Sequence, residues 1–151
     1  MEIASFLTWF ILIAVVAGVG ISVMTYAYWG AGSVSILFEQ AIPLPLSVPD
    51  SEAGTEASVQ FQQGYNAYQQ KNYRQAIDYF TRAIQQVSTL AEAYHNRGLA
   101  YANLRQDDHS VVNLLSASEL YGQQEKAEQI TLLKQHLEAL RARKLAQSSK
   151  S

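Results

Sequence analysis

The sequence predicts an all-α protein: one N-terminal transmembrane helix, a proline-containing linker, a two-repeat α-solenoid and a closing C-terminal helix. Three observations lead there. From Ile3 to Phe38 no side chain is ionisable other than tyrosine. Residues 57–122 show self-similarity at a stride of thirty-four, the signature of stacked helix-turn-helix units. Beyond Gln123, apolar residues recur every three or four positions, as on one face of a long helix.

The span comes first, at residues 1–29. Phe6 to Tyr28 is almost uninterrupted Phe, Leu, Trp, Ile, Val, Ala and Gly, and about 20 apolar residues in a helix cross roughly 30 Å of hydrocarbon. Trp9 stands near one end and Tyr26, Tyr28 and Trp29 at the other, in the pattern of interfacial aromatic belts. The competing reading is a cleaved signal peptide, with small residues at Ala27, Gly30, Ala31 and Gly32 for cleavage. Against it, Glu2 stands where a basic leader belongs, and the apolar core exceeds the ~7–15 residues of a signal peptide's apolar region. Ala14, Gly18 and Ser22 recur at every fourth position, a small-residue face suited to close helix packing, although Gly and Ala are common in spans generally. Charge sets the expected orientation. Residues 1–60 carry five acids (Glu2, Glu39, Asp50, Glu52, Glu56) and no Lys or Arg, and residues 61–151 carry the eleven bases against eight acids, which favours a cytoplasmic repeat domain.

Residues 30–56 form the linker and hold all three prolines, Pro43, Pro45 and Pro49. Proline restricts φ and removes a donor, so this stretch is expected to be an extended, semi-rigid spacer, with docking through Leu44-Pro45-Leu46 as the alternative. Val34 to Phe38 is expected to lie at the membrane interface as a short amphipathic turn.

The repeats are assigned to 57–90 and 91–122. Gly64 aligns with Gly98, Ala83 with Ala117, Ala76 with Ser110 and Phe80 with Leu114, each pair thirty-four apart. The expected helices are Gln60 to Gln70 and Arg74 to Val87, then Ala91 to Leu104 and His109 to Tyr121, with turns at Lys71-Asn72 and at Arg105 to Asp108. The glycines fit places where two backbones approach closely. A capping helix is expected over 123–146, with Ala127, Ile130, Leu133, Leu137, Leu140 and Lys144 on its inner face, followed by a frayed tail at 147–151. Two units alone leave much apolar surface at the ends of a stack, and the extra helix supplies the missing layer.

These residues resemble the tetratricopeptide repeat family, whose 34-residue motif places an aromatic, Leu-Gly, Tyr, Ala, Phe, Ala and Pro along a helix-turn-helix. Tyr94, Gly98, Tyr101 and Ala117 match in the second unit, and Gly64, Ala76, Phe80 and Ala83 in the first. The departures are Gln60 and Ala67 at aromatic positions, Ser110 and Leu114 in the second unit, and Ser88 and Gly122 in place of the closing proline. The resemblance implies a concave groove, lined by the first helix of each unit, that holds a peptide. Its groove positions fall on Phe61, Tyr65 and Tyr68, then on His95, Leu99 and Asn103. The same aromatics are equally placed to be core. Asn96 matches one group of the carboxylate clamp found in some relatives, but Phe61 and His95 stand where that clamp needs bases.

Chemistry beyond binding is not expected. The second part of the chain, about +3 with its acids interspersed, gives no basic stripe for nucleic acid. The lack of cysteine removes disulfides, thiolate nucleophiles and cysteine metal ligands. His95, His109 and His136 fall into no catalytic or metal-binding spacing, and Asp107-Asp108-His109 is expected to be a solvated loop in which Asp caps the next helix. Arg141, Arg143 and Lys144 complement a helix C-terminus, with anionic lipid as the alternative contact. No cofactor, metal, enzyme activity or small-molecule substrate is therefore expected. The expected function is a membrane-tethered scaffold or assembly factor holding a client protein at the bilayer surface. Likeness to short cyanobacterial and plastid repeat proteins extends this to a photosynthetic complex in the thylakoid membrane. A permanent accessory subunit of a membrane protein complex and a cleaved, exported binding module are the alternatives.

Overall fold

Among the described residues five helices follow one another: α1 (Glu52–Gln69), α2 (Tyr73–Gln86), α3 (Ala91–Asn103), α4 (Asp107–Gln123) and α5 (Ala127–Ser148). This computed structural model describes residues 36–43 and 48–149, and among them there is no strand, so the class is all-α. The expected span at 1–29, including Ala14, Gly18 and Ser22, and the Leu44-Pro45-Leu46 portion of the linker lie outside the described residues. Among the described residues no helix is long and apolar enough to cross a membrane.

Each helix packs on the next in the chain, while α1 and α3 barely meet. Such nearest-neighbour stacking follows from very short connections, which force successive helices into hairpins. Three of the four connections share one hydrogen-bond pattern. Lys71, Arg105 and Glu125 take φ of 62°, 62° and 55°. The next amide reaches back five residues, from Asn72 to Ala67 O, from Gln106 to Tyr101 O and from Lys126 to Tyr121 O, at 2.9 Å each. This is the left-handed helix stop usually built with glycine; here three side-chain-bearing residues adopt it.

The thirty-four-residue stride is visible in the packing. A Cβ added at Gly64 would sit 2.7–2.8 Å from the ring of Phe80, and one at Gly98 would sit 3.0 Å from Leu114. The buried sets repeat in the same register, Ala57, Phe61, Gly64 and Tyr68 in α1 against Ala91, His95, Gly98 and Ala102 in α3. Arg97 ties the units together, donating from Nε to Asn113 at 2.7 Å and from Nη1 to Thr81 at 3.0 Å, with its guanidinium over the Tyr94 ring.

Several expected boundaries shift. Helix α1 begins at Glu52, eight residues before Gln60, because Ser51 Oγ accepts the Gly54 amide at 3.1 Å and Glu52 complements the helix dipole. Helix α4 begins at Asp107, so Asp107-Asp108-His109 is its first turn and not a loop, and Asp107 does not cap it. Its carboxylate pairs instead with Arg143 of α5, whose guanidinium also donates to Ala102 O at 2.9 Å. Arg143 thus fastens α5 to the preceding hairpin, while Arg141 and Lys144 are exposed. The inner face of α5 holds buried Leu133 and Leu140 with half-buried Ile130, His136 and Leu137, while Ala127 and Lys144 face outward. The helix runs to Ser148, past the boundary expected at 146.

Candidate functional site

Residues 36–43 make no helix and lie across the face formed by α1, α3 and α5, gripped mainly by two asparagines of α3. The Asn103 Oδ1 accepts the amides of Leu37 and Phe38, each at 3.0 Å. Its Nδ2 donates to Phe38 O at 2.7 Å and to the Tyr68 hydroxyl at 2.9 Å. The Tyr68 hydroxyl in turn donates to Phe38 O at 2.7 Å. Asn96 repeats the arrangement seven positions earlier, accepting the Ile42 amide at 2.6 Å and donating to Ile42 O at 3.0 Å.

The spacing explains why this pair works. Seven residues are two helical turns, so both carboxamides project from one side of α3 about 10 Å apart. Phe38 and Ile42 are four residues apart and span at most roughly 13 Å when extended, so the chain, bent at Leu37, is drawn out from there to Ile42 and runs antiparallel to α3. A primary amide offers both a donor and an acceptor and therefore matches a peptide unit. The grip is on main chain and carries little information about side chains.

Side chains add a second layer. Phe38 is 7% exposed and Ala41 5%. The Phe38 ring stands edge-on to His136 with centroids 4.7 Å apart. Beneath it, His136 Nδ1 and His95 Nε2 lie 2.8 Å apart, so two neutral imidazoles share one proton across that contact, and the Tyr121 hydroxyl is 3.4 Å from His95 Nδ1. Burial together with the neighbouring His136 pushes His95 down to about 3, and burial also lowers His136. Burial raises the phenol of Tyr68, with Tyr73 adding to it and the Asn103 bond opposing it, and burial and Glu92 raise Tyr121. The site is a hydrogen-bonding surface of carboxamide, phenol and imidazole groups, with no Asp, Glu, Lys or Arg among the hydrogen bonds described above. Among the described residues no group of three or more His, Cys, Asp or Glu is placed to hold a metal ion.

The seven predicted groove residues separate into three groups. Tyr68, Asn96 and Asn103 contact the segment directly. Phe61 and Leu99 are fully buried, and Phe61 packs on Phe80 with centroids 5.3 Å apart, so both are core. His95 is also fully buried and supports the segment through His136, while Tyr65 is half-buried against the core. The spacer expectation for 30–56 is corrected over 36–42, which is docked; of the interfacial turn expected over Val34–Phe38, residues 34 and 35 lie outside the described residues, and Ile36, Leu37 and Phe38 pack against the helices. The segment escaped notice because its apolar residues adjoin the longer apolar stretch before it. A usable signal was nevertheless present, since two asparagines on one face of a helix whose other residues are mostly apolar require partners. No family model matches this chain, and no curated protein or solved structure matches it.

Proposed function

We propose that this protein is a membrane-tethered scaffold of tetratricopeptide-repeat type, whose α1/α3/α5 face holds an extended segment of a client protein. The observation that carries the reading is the pairing of Asn96 and Asn103 with main-chain amides and carbonyls. A surface that grips backbone at two points accepts many sequences, as a scaffold requires. The stride shared by Gly64 against Phe80 and Gly98 against Leu114 supports the family likeness. The apolar stretch over 6–28 supports the tether. Tethering raises the local concentration of a weak binder to roughly the millimolar range without new contacts. By analogy with the short repeat proteins that it resembles, the client belongs to a photosynthetic membrane complex in assembly.

The test is photocrosslinking in native membranes from a probe residue placed at Tyr65, half-buried on α1 three residues before Tyr68, and at Val112, exposed on α4. A scaffold yields specific protein neighbours from position 65 that are absent from position 112, and those neighbours are precursors. Identical neighbours from both positions, or none from position 65, overturn the reading, and constant stoichiometry with a mature complex identifies a subunit instead.

A further inference from the structure

The segment that fills the face belongs to this chain itself. We propose that Ile36–Ile42 is an in-cis occupant of the client groove, and that the client is an extended segment bearing an aromatic residue followed three positions later by a small one, which must displace it. The inference rests on the scaffold reading and adds the chemistry of the client and the competitor it meets. Four observations carry it. Among the described residues, the hydrogen bonds that hold the segment go to its main chain, so a different sequence can replace each of them in the same register. The side chains sunk below one-tenth exposure are Phe38 and Ala41, three residues apart, which defines the pattern a replacement needs. The residues between them, Glu39 and Gln40, are exposed, so neither is buried in the face as Phe38 and Ala41 are. Finally, the segment is joined covalently to α1 through Asp50 and Ser51, and it therefore competes at the high effective concentration of a linked ligand.

The consequence is quantitative. When the competent, open form is only a fraction of the protein, the apparent affinity for a ligand in trans is reduced by that fraction. An occupant that fills the groove about nine-tenths of the time or more weakens client binding at least about tenfold. Loosening the occupant without touching the helices should recover that factor.

The experiment uses the full chain in detergent micelles and a fluorescent synthetic peptide, Val-Ser-Ile-Leu-Phe-Glu-Gln-Ala-Ile-Pro, matching residues 34–43. Binding is read by anisotropy. Phe38→Ala in the protein removes the buried ring, and Ile42→Pro, a second variant that leaves the ring in place, removes the amide donated to Asn96. Both variants are expected to bind the peptide at least about tenfold more tightly than the parent chain, and adding Asn103→Ala to either should abolish the gain. A peptide with Phe replaced by Ala should bind neither variant measurably. Equal affinity for the parent chain and both variants overturns the proposal, as does peptide binding that survives Asn103→Ala. Failure of the peptide to bind either helical variant does so as well. These results are independent of the crosslinking test. A groove that behaves as expected here but has no client neighbours in membranes removes the scaffold function and leaves the self-occupancy standing.

Discussion

Replacing Asn103 by Ala should release the N-terminal half of the docked segment while leaving the helices folded. Asn103 makes four hydrogen bonds, two accepted from Leu37 and Phe38 and two donated to Phe38 O and the Tyr68 hydroxyl. At a net 0.5–1.5 kcal/mol each, simple addition gives about 2–6 kcal/mol. The upper end overshoots, because two of the bonds share one oxygen and because undocking returns the stranded amides to water. The loss is therefore capped by what docking is worth: burial of Phe38 at roughly 1.5–3 kcal/mol and the Asn96 pair at about 1–2 kcal/mol. A local loss of about 2–3 kcal/mol follows, and at 1.4 kcal/mol per decade the protection of the Leu37 and Phe38 amides should fall about 30- to 150-fold. Amide hydrogen exchange read residue by residue measures this directly. The Ile42 amide, held by Asn96, should lose less, and the amides inside α1–α4 should keep their protection. Unchanged protection at Leu37 and Phe38 would refute the grip described for Asn103, and so would a loss spread evenly over the helices.

Three further outcomes follow from the packing. Gly64→Ala places a Cβ 2.7–2.8 Å from the buried Phe80 ring and should cost about 1–3 kcal/mol in chemical denaturation, whereas Gly98→Ala, at 3.0–3.2 Å from Leu114 and Ser110 O, should lie near neutrality because the helix-propensity gain of about 1 kcal/mol offsets the squeeze. His95, pushed down to about 3 in the folded chain against 6.5 unfolded, contributes stability that is complete above about pH 6.5 and drains as pH falls; at 1.36 kcal/mol per unit the drop from pH 7 to pH 5 should be about 2 kcal/mol in urea midpoints, and His95→Phe should remove it. Lys71→Gly and Glu125→Gly, each at a positive φ, should raise stability by about 0.5–1 kcal/mol in thermal melts, with a fall in melting temperature counting against the left-handed stops.

The helical hairpins were readable from sequence because the stride of thirty-four writes the same contact twice, Gly64 under Phe80 and Gly98 under Leu114. The turn at Lys71-Asn72 was also readable, from the drop in apolar periodicity. The use of Lys71, Arg105 and Glu125 as left-handed stops was not, since glycine normally signals that conformation and the only glycine near a stop, Gly122, lies three residues before Glu125. The site was half legible. Tyr68 and Asn103 came from the groove positions that the family resemblance implies and Asn96 from its carboxylate clamp, but Phe61 and Leu99 came from the same groove positions and are core, because an apolar stripe does not declare which of its edges faces inward. His136 and Phe38 were missed for a different reason. Their roles depend on contacts between residues 98 apart in sequence, and no local spacing encodes them.

The docked segment also resolves a difficulty that the helices alone would have. A face built around Asn96, Asn103, Tyr68 and His95 carries polar atoms among apolar neighbours, and such atoms are costly to bury without partners. Filled by Ile36–Ile42, the carboxamides of both asparagines and the Tyr68 hydroxyl are bonded, and Phe38 and Ala41 are buried. A two-hairpin stack has little core to spare, so an empty face would lower the stability of the domain as well as leave a site open. A client of the kind proposed, replacing the segment residue for residue, would exchange like bonds for like and change the total little. The selectivity of such an exchange rests on the place of Phe38, where the occupant's side chain, rather than its backbone, meets the half-buried His136.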